Sequence, residues 1–258
     1  MFIILFWHIM REIMFEHQMG KSSADAPGPA SAAPSERVSP RWEDPRTVAG
    51  FASGSPNQQL LDFARTFLRE GHALQCLDLG CGAARNALPL SRMGFSVTGT
   101  DLSEPMLDAA RERMKRELPT RVAQFVHAPM APLPFEDQSF DLIVAHGIWN
   151  LARSDAEFRA AVAEAGRVAR PGAGLFLFTF SRHTLPDNVR PDPGETFVFS
   201  SWNGEPHCFL TEDELISELA RAGFTPIETP LSEYNRPVGS KLGIGGPPVI
   251  YEGQFVRA

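Results

Sequence analysis

From residue 57 onward the apolar positions alternate between two rhythms. NQQLLDFARTFLRE (57–70) carries Leu60, Leu61, Phe63, Ala64 and Phe67 at helical spacing and stops before Gly71, which predicts a helix. ALQCLDL (73–79) is a nearly unbroken apolar run ending in glycines, the pattern of a strand buried on both faces. The alternation continues with a helix over 84–93, a strand over 95–100 and a helix over 104–117. Ser103 caps that last helix and Pro105 sits in its first turn. Strands follow at 123–127 and 140–146, then an Ala-rich helix at 154–169 and, after the Pro171–Gly172 turn, the strand GLFLFTF (174–180). Thr211 and Glu214 form a capping box, with Leu210 and Leu215 as its staple, for a helix that ends at Gly223. Strands at 224–229 and 248–256 close the pattern. Apolar strands alternating with helices predict an α/β fold: a doubly wound, mostly parallel sheet of seven strands with helices on both faces. Such sheets bind ligands beyond the carboxyl ends of their strands, where the chain order reverses.

The first 41 residues stand outside this rhythm. KSSADAPGPASAAPSERVSPR (21–41) is rich in Pro, Ala and Ser without an aromatic residue, so it predicts a disordered linker ahead of a domain spanning 42–258. The leader MFIILFWHIM is apolar for about ten residues before Arg11, half of what a bilayer span needs. It also lacks the positive start of a secretory signal, so no stable membrane association is expected. Either an over-extended start or a short interfacial helix accounts for it.

The chain has 258 residues, 43% of them hydrophobic, which excludes wholesale disorder. Its formal charge is -7, from 24 basic against 31 acidic residues, and its arginines are scattered. An acidic surface without a basic patch argues against a nucleic-acid partner. Cys76, Cys81 and Cys208 are odd in number and lack CxxC spacing, which points to a reducing, cytoplasmic setting without a disulfide framework. His183, His207 and Cys208 lack the short spacings of a metal site, and no metal is expected. Oligomeric state leaves no mark in the sequence.

The turn after the first predicted strand reads Asp78-Leu79-Gly80-Cys81-Gly82-Ala83-Ala84-Arg85-Asn86. Gly80 and Gly82 let the backbone turn tightly and approach a ligand closely. Asp101, at the end of the next strand, is placed to accept both hydroxyls of a ribose. Together these predict an adenosine-type ligand. A dinucleotide fits poorly, because Arg85 occupies the third glycine position and Asp78 would repel a pyrophosphate. The same carboxylate favours a ligand bearing an ammonium and a sulfonium, as S-adenosylmethionine does.

CLDLGCGAARNALPLSRMGFSVTGTDLSEPMLDAARERM resembles the opening motifs of class I S-adenosylmethionine-dependent methyltransferases. LPFEDQSFDLIVAHGIWNL, AEAGRVARPGAGLFLFTF and FLTEDELISELARAGFTPIE are similar to their fourth-strand, fifth-strand and late-helix regions, so the resemblance covers 56–258. It implies a Rossmann-like fold and methyl transfer to a small-molecule acceptor. It also implies that Asp78, Gly80, Cys81 and Gly82 surround the methionine half of the cofactor, that Asp101 takes the ribose and that Leu102 packs on the adenine. Three positions depart from the family pattern. Ala84 replaces a third glycine, Ala173 replaces a second glycine before the fifth strand, and Pro129 stands where an acidic residue often holds the adenine amine. Adenine is then left to the Met130 amide, a water or a shifted residue. His146, at the end of the fourth strand, is expected to line the cofactor pocket and is the candidate general base, with ordinary packing as the competing reading. Asn150 and Trp149 would shape the acceptor pocket. The segments around Trp42 and Phe51, with the stretch 181–209 that holds Phe197, Phe199 and Trp202, are the expected acceptor lid, and the latter stretch reads equally as a hairpin packed on the sheet edge. Three rivals remain: a dinucleotide-dependent oxidoreductase, a non-catalytic cofactor-binding module and a nucleic-acid methyltransferase. Asp78 and Arg85 oppose the first, and the acidic charge opposes the last.

Overall fold

The computed structural model describes residues 38–68, 74–121, 123–234 and 248–258. The apolar leader and most of the predicted linker lie outside them. Five parallel strands form the body of the sheet: β1 (Gln75–Leu79), β2 (Ser96–Asp101), β3 (Gln124–His127), β4 (Phe140–His146) and β5 (Ala169–Phe180), in the spatial order β3-β2-β1-β4-β5. A separate two-stranded hairpin, β6 (Val198–Phe199) and β7 (His207–Cys208), follows β5. Along the other edge of β5 runs antiparallel β10 (Ile250–Arg257), which in turn pairs with β8 (Phe224–Pro226) and β9 (Ser232–Tyr234). The main sheet therefore has eight strands among the described residues, one more than the apolar pattern predicts. The extra strand, β9, reads Ser-Glu-Tyr and carries no apolar alternation; the free edge of β10 makes it a strand.

Among the described residues six α-helices flank the sheet: α1 (Pro45–Ser53), α2 (Gln58–Arg65), α3 (Ala87–Met93), α4 (Glu104–Glu117), α5 (Asp155–Val168) and α6 (Glu212–Arg221). Local chemistry sets their starts. Asn57, Ser103, Ser154 and Thr211 each accept a backbone N–H of the first turn, and Thr211 with Glu214 closes the predicted capping box. Two predicted helices are shorter than expected. The helix over 57–70 ends at Arg65, and that over 84–93 starts at Ala87 because Ala84 adopts a left-handed φ of 59°. β5 starts earlier than expected, at Ala169, since the Pro171–Gly172 turn is absorbed as a register shift opposite Phe140 and Leu142. β8 stops at Pro226 rather than residue 229.

The sheet separates two apolar cores. On one face Leu77, Ile143, Leu175 and Leu177 pack with Phe158 and Val162 of α5 and with Leu215 and Leu219 of α6. On the other, Cys76, Leu142, Val144, Phe176 and Phe178 pack with Leu60, Phe63 and Ala64 of α2 and Leu90 of α3. The β6–β7 hairpin turns its aromatic residues inward and joins both cores, Phe197 against Phe158 and Trp202 against Phe180, with ring centroids 5.1 and 5.2 Å apart. No helix among the described residues is long and apolar enough to cross a membrane.

Candidate cofactor and acceptor site

The chain order reverses between β1 and β4, and sheets of this kind bind their ligands in a crevice beyond the carboxyl ends of the strands at such a point. The loop after β1 forms one side. Gly80 and Gly82 have φ of 63° and 51°, a region costly for residues with a Cβ, and a Cβ on Gly80 would lie 2.7 Å from Ile148 Cδ1. Ala84 adopts the same region despite its side chain and takes the role of the missing third glycine at some cost in strain. Cys81 turns its thiol into the sheet, over Gly99, where a Cβ would come within 2.7 Å of Sγ; burial raises its pKa well above the ordinary thiol value. Only the backbone of Cys81 is left to face the crevice.

Asp101 ties the two loops together. Its Oδ2 accepts the Gly82 N–H at 2.9 Å and its Oδ1 accepts the Ser103 N–H at 2.9 Å. Ala128 N–H donates to the Asp101 carbonyl, which brings the segment after β3, with half-buried Met130, back beside half-buried Leu102. The Leu102 carbonyl accepts from His127 Nε2 at 2.9 Å.

Asp78, on β1, is buried, and its Oδ2 has no hydrogen-bond partner among the described residues. Burial pushes its pKa up to about 7, opposed by the nearby Arg85 guanidinium and reinforced by the Asp101 carboxylate. Arg85 is itself buried; desolvation lowers its pKa to about 10. Its Nη2 lies 3.1 Å from His146 Nδ1. The other ring nitrogen of His146, Nε2, lies 3.1 Å from Asn57 Nδ2, while Asn57 Oδ1 accepts the Leu60 N–H as the cap of α2. Both neighbours are donors, so the neutral ring, with a single acceptor nitrogen, can accept from only one of them. The imidazole stacks on Phe178 with centroids 4.2 Å apart. Burial, and then the Arg85 charge, hold its pKa well below the usual value.

Of the sequence-predicted residues, Asp78, Gly80, Gly82, Asp101 and His146 thus meet around the ends of β1, β2 and β4. Trp149 and Asn150 are buried in the turn after β4, where Trp149 Nε1 and Asn150 Oδ1 lack partners among the described residues. The pattern reading missed Asn57, Phe178, Tyr234 and Glu252. Glu252 had a visible signal, a carboxylate interrupting the apolar run PVIYEGQFV. Among the described residues no cluster of three or more His, Cys, Asp or Glu could hold a metal ion.

Comparison with known proteins bears on this geometry. A family model described as a methyltransferase domain matches residues 76–172. The methyltransferase GfsG of Streptomyces halstedii is 30% identical over 203 residues, 77% of this chain and 69% of that protein. The chain belongs to the class I S-adenosylmethionine-dependent methyltransferases. A demethylmenaquinone methyltransferase of Clavibacter sepedonicus is 35% identical over 168 residues, 59% of this chain and 66% of the relative. This methyltransferase therefore spans about two thirds of the length of these relatives. Its fold is that of the 1,6-didemethyltoxoflavin-N1-methyltransferase of Burkholderia thailandensis, crystallised with 1,6-didemethyltoxoflavin and S-adenosylhomocysteine. That match has a TM-score of 0.58 at 22% identity and covers 78% of this chain and 77% of the other.

The residues present fit S-adenosylmethionine. The orphaned Asp78 oxygen is a buried acceptor that calls for a cation or a strong donor. Gly82 keeps open the space before the Phe51 ring, which a Cβ would approach to 3.4 Å.

Proposed function

We propose that this methyltransferase holds its cofactor with Asp78, Gly80, Gly82, Asp101, Leu102 and the backbone of Cys81 and Met130, and methylates a small cyclic acceptor in the cytoplasm. The observation that carries the site assignment is the buried, unpartnered oxygen of Asp78 at the point where the chain order reverses. S-adenosylmethionine supplies the electrophilic methyl carbon. The Asp78 carboxylate takes the positive methionine end. The Asp101 lone pairs left after Gly82 and Ser103 take the ribose hydroxyls, and Leu102 packs on the adenine. The Met130 amide meets the adenine edge, since Pro129 offers no side-chain acceptor. His146, with donors at both ring nitrogens and Phe178 against its face, acts as a fixed wall that positions the reactants.

The printed acceptors of the relatives, demethylmenaquinone and didemethyltoxoflavin, are ring-bearing organic molecules rather than macromolecules and support a small-molecule acceptor here. The acidic charge of the chain supports a small molecule over nucleic acid. Three free, buried cysteines support a reducing compartment. Calorimetric titration with S-adenosylhomocysteine tests the assignment: Asp101→Ala is expected to lose roughly 2–3 kcal/mol of binding, as when charge-assisted hydrogen bonds vanish. Unchanged affinity in the folded variant would sink it.

A further inference from the structure

We propose that Glu252 anchors the acceptor: its free carboxylate oxygen accepts a hydrogen bond from a phenolic or enolic hydroxyl of the molecule to be methylated. The inference rests on the cofactor reading above and adds the acceptor side. Glu252 of β10 pairs with Phe178 of β5, which pairs with His146 of β4. Residues paired in register project from one face, so the three side chains form a row across the end of the sheet.

The carboxylate is lopsided. Its Oε2 accepts from Tyr234 Oη at 2.7 Å and from Asn57 Nδ2 at 3.3 Å. Its Oε1 has no partner among the described residues, although Glu252 is only 4% exposed. Burial raises the Glu252 pKa above the ordinary carboxylate value, and the hydrogen bonds from Tyr234 and Asn57 oppose that shift in favour of the charged form. A buried carboxylate with unmet accepting capacity calls for a donor from outside the protein. That donor is neutral rather than cationic. Asn57 joins Glu252 to His146, whose other nitrogen faces the Arg85 guanidinium, and the cofactor brings a sulfonium to the same crevice. Around the carboxylate the walls are aromatic: Phe178 stands 6.3 Å from Tyr234, edge to face. A ring bearing a hydroxyl suits both the walls and the free oxygen.

The test uses the full chain saturated with S-adenosylhomocysteine and follows, by difference absorbance, binding of 4-nitrocatechol and of its dimethyl ether, 1,2-dimethoxy-4-nitrobenzene. The ether keeps the ring but lacks the donor. The wild-type protein is expected to bind the catechol at least about tenfold more tightly than the ether, as befits a hydrogen bond to a charged group. Glu252→Gln should erase that preference, because its amide turns a donor toward the hydroxyl once its oxygen takes Tyr234 and Asn57. Its affinity for S-adenosylhomocysteine should stay that of the wild type. 4-Nitrophenethylamine should bind no better than the ether. Equal binding of catechol and ether by the wild type, saturable binding of neither, preference for the amine, or a preference that survives in Glu252→Gln would each overturn the proposal. Loss of S-adenosylhomocysteine binding by the wild type would instead overturn the cofactor reading. Should Glu252→Gln fail to fold, the comparison of catechol with ether in the wild type still decides.

Discussion

Asp78, proposed above to take the positive end of the cofactor, shows how burial tunes a single carboxyl. Unfolded, its carboxyl titrates near 3.8; in the folded chain burial raises this to about 7. Between those values the folded state binds more protons than the unfolded one, so stability falls as pH rises through this window. A cation placed against the carboxylate favours its charged form and reverses the effect. Two outcomes are expected. The melting temperature of the free protein should fall from pH 5 toward pH 8, a slope that Asp78→Asn removes. Binding S-adenosylhomocysteine near pH 6 should release a proton from Asp78, seen calorimetrically as heats that differ between buffers of unlike ionisation enthalpy, and the variant should lose that share of the difference. His146 titrates the other way. Burial, and then the Arg85 charge, favour its neutral ring, so its proton resonances should not move through the range in which a free histidine titrates, with or without S-adenosylhomocysteine. A midpoint within that range would overturn the reading of a packed, neutral ring. The glycines, Asp78 and Asp101 were legible because a turn and a strand end impose them locally. The partners of His146 were not: Asn57 and Arg85 lie 89 and 61 residues away, brought close only by the winding of the sheet.

Among the elements, α1 is a helix that the apolar pattern did not predict, although Trp42 and Phe51 beside and within it were expected in an acceptor lid. With the preceding turn Pro40–Trp42 it lies across the loops after β1 and β2: the Trp42 carbonyl accepts from Ser103 Oγ at 3.0 Å, and Phe51 sits between the Gly82 turn and the Arg85 guanidinium. Arg41 reaches the β6–β7 hairpin through Glu205, 3.5 Å away. Removing residues 1–37 is expected to leave melting temperature and affinity for S-adenosylhomocysteine unchanged, because the Pro/Ala/Ser-rich stretch from residue 21 carries little apolar surface to hold the leader to the domain; a large loss would show instead that the apolar leader packs there. Extending the deletion through Ser53 should lower the melting temperature by about 5 °C or more, as follows from losing roughly 2 kcal/mol of packing, and should weaken binding. Equal behaviour of the two truncations would show that α1 contributes nothing to the site. The elements that the pattern placed correctly, α4 and β4 above all, carry their own boundaries: Ser103 and Pro105 start the one, and the apolar run Phe140–His146 spans the other. Elements that depend on a neighbour were misread. β9 needs the edge of β10, and the start of β5 needs the register shift opposite β4, where Gly172 takes a φ of 77°.

At the scale of the whole molecule, the alternation of strand and helix was enough for the doubly wound architecture, because every parallel crossover demands an amphipathic cover. It was silent about the acceptor. The proposed acceptor wall takes Phe178 from β5, Tyr234 from β9 and Glu252 from β10, three strands that adjoin only after the last has been laid down. A fold shared by many enzymes leaves the choice of substrate to such late arrivals. The place of β10, between β5 on one side and β8 and β9 on the other, also has a consequence for biosynthesis. Translation delivers β8 and β9 before the strand that both of them pair with. Until residues 250–257 clear the ribosome, β5 presents an unpaired, apolar edge running from Gly174 to Phe180. The nascent chain must guard that edge against other chains before it can become an enzyme.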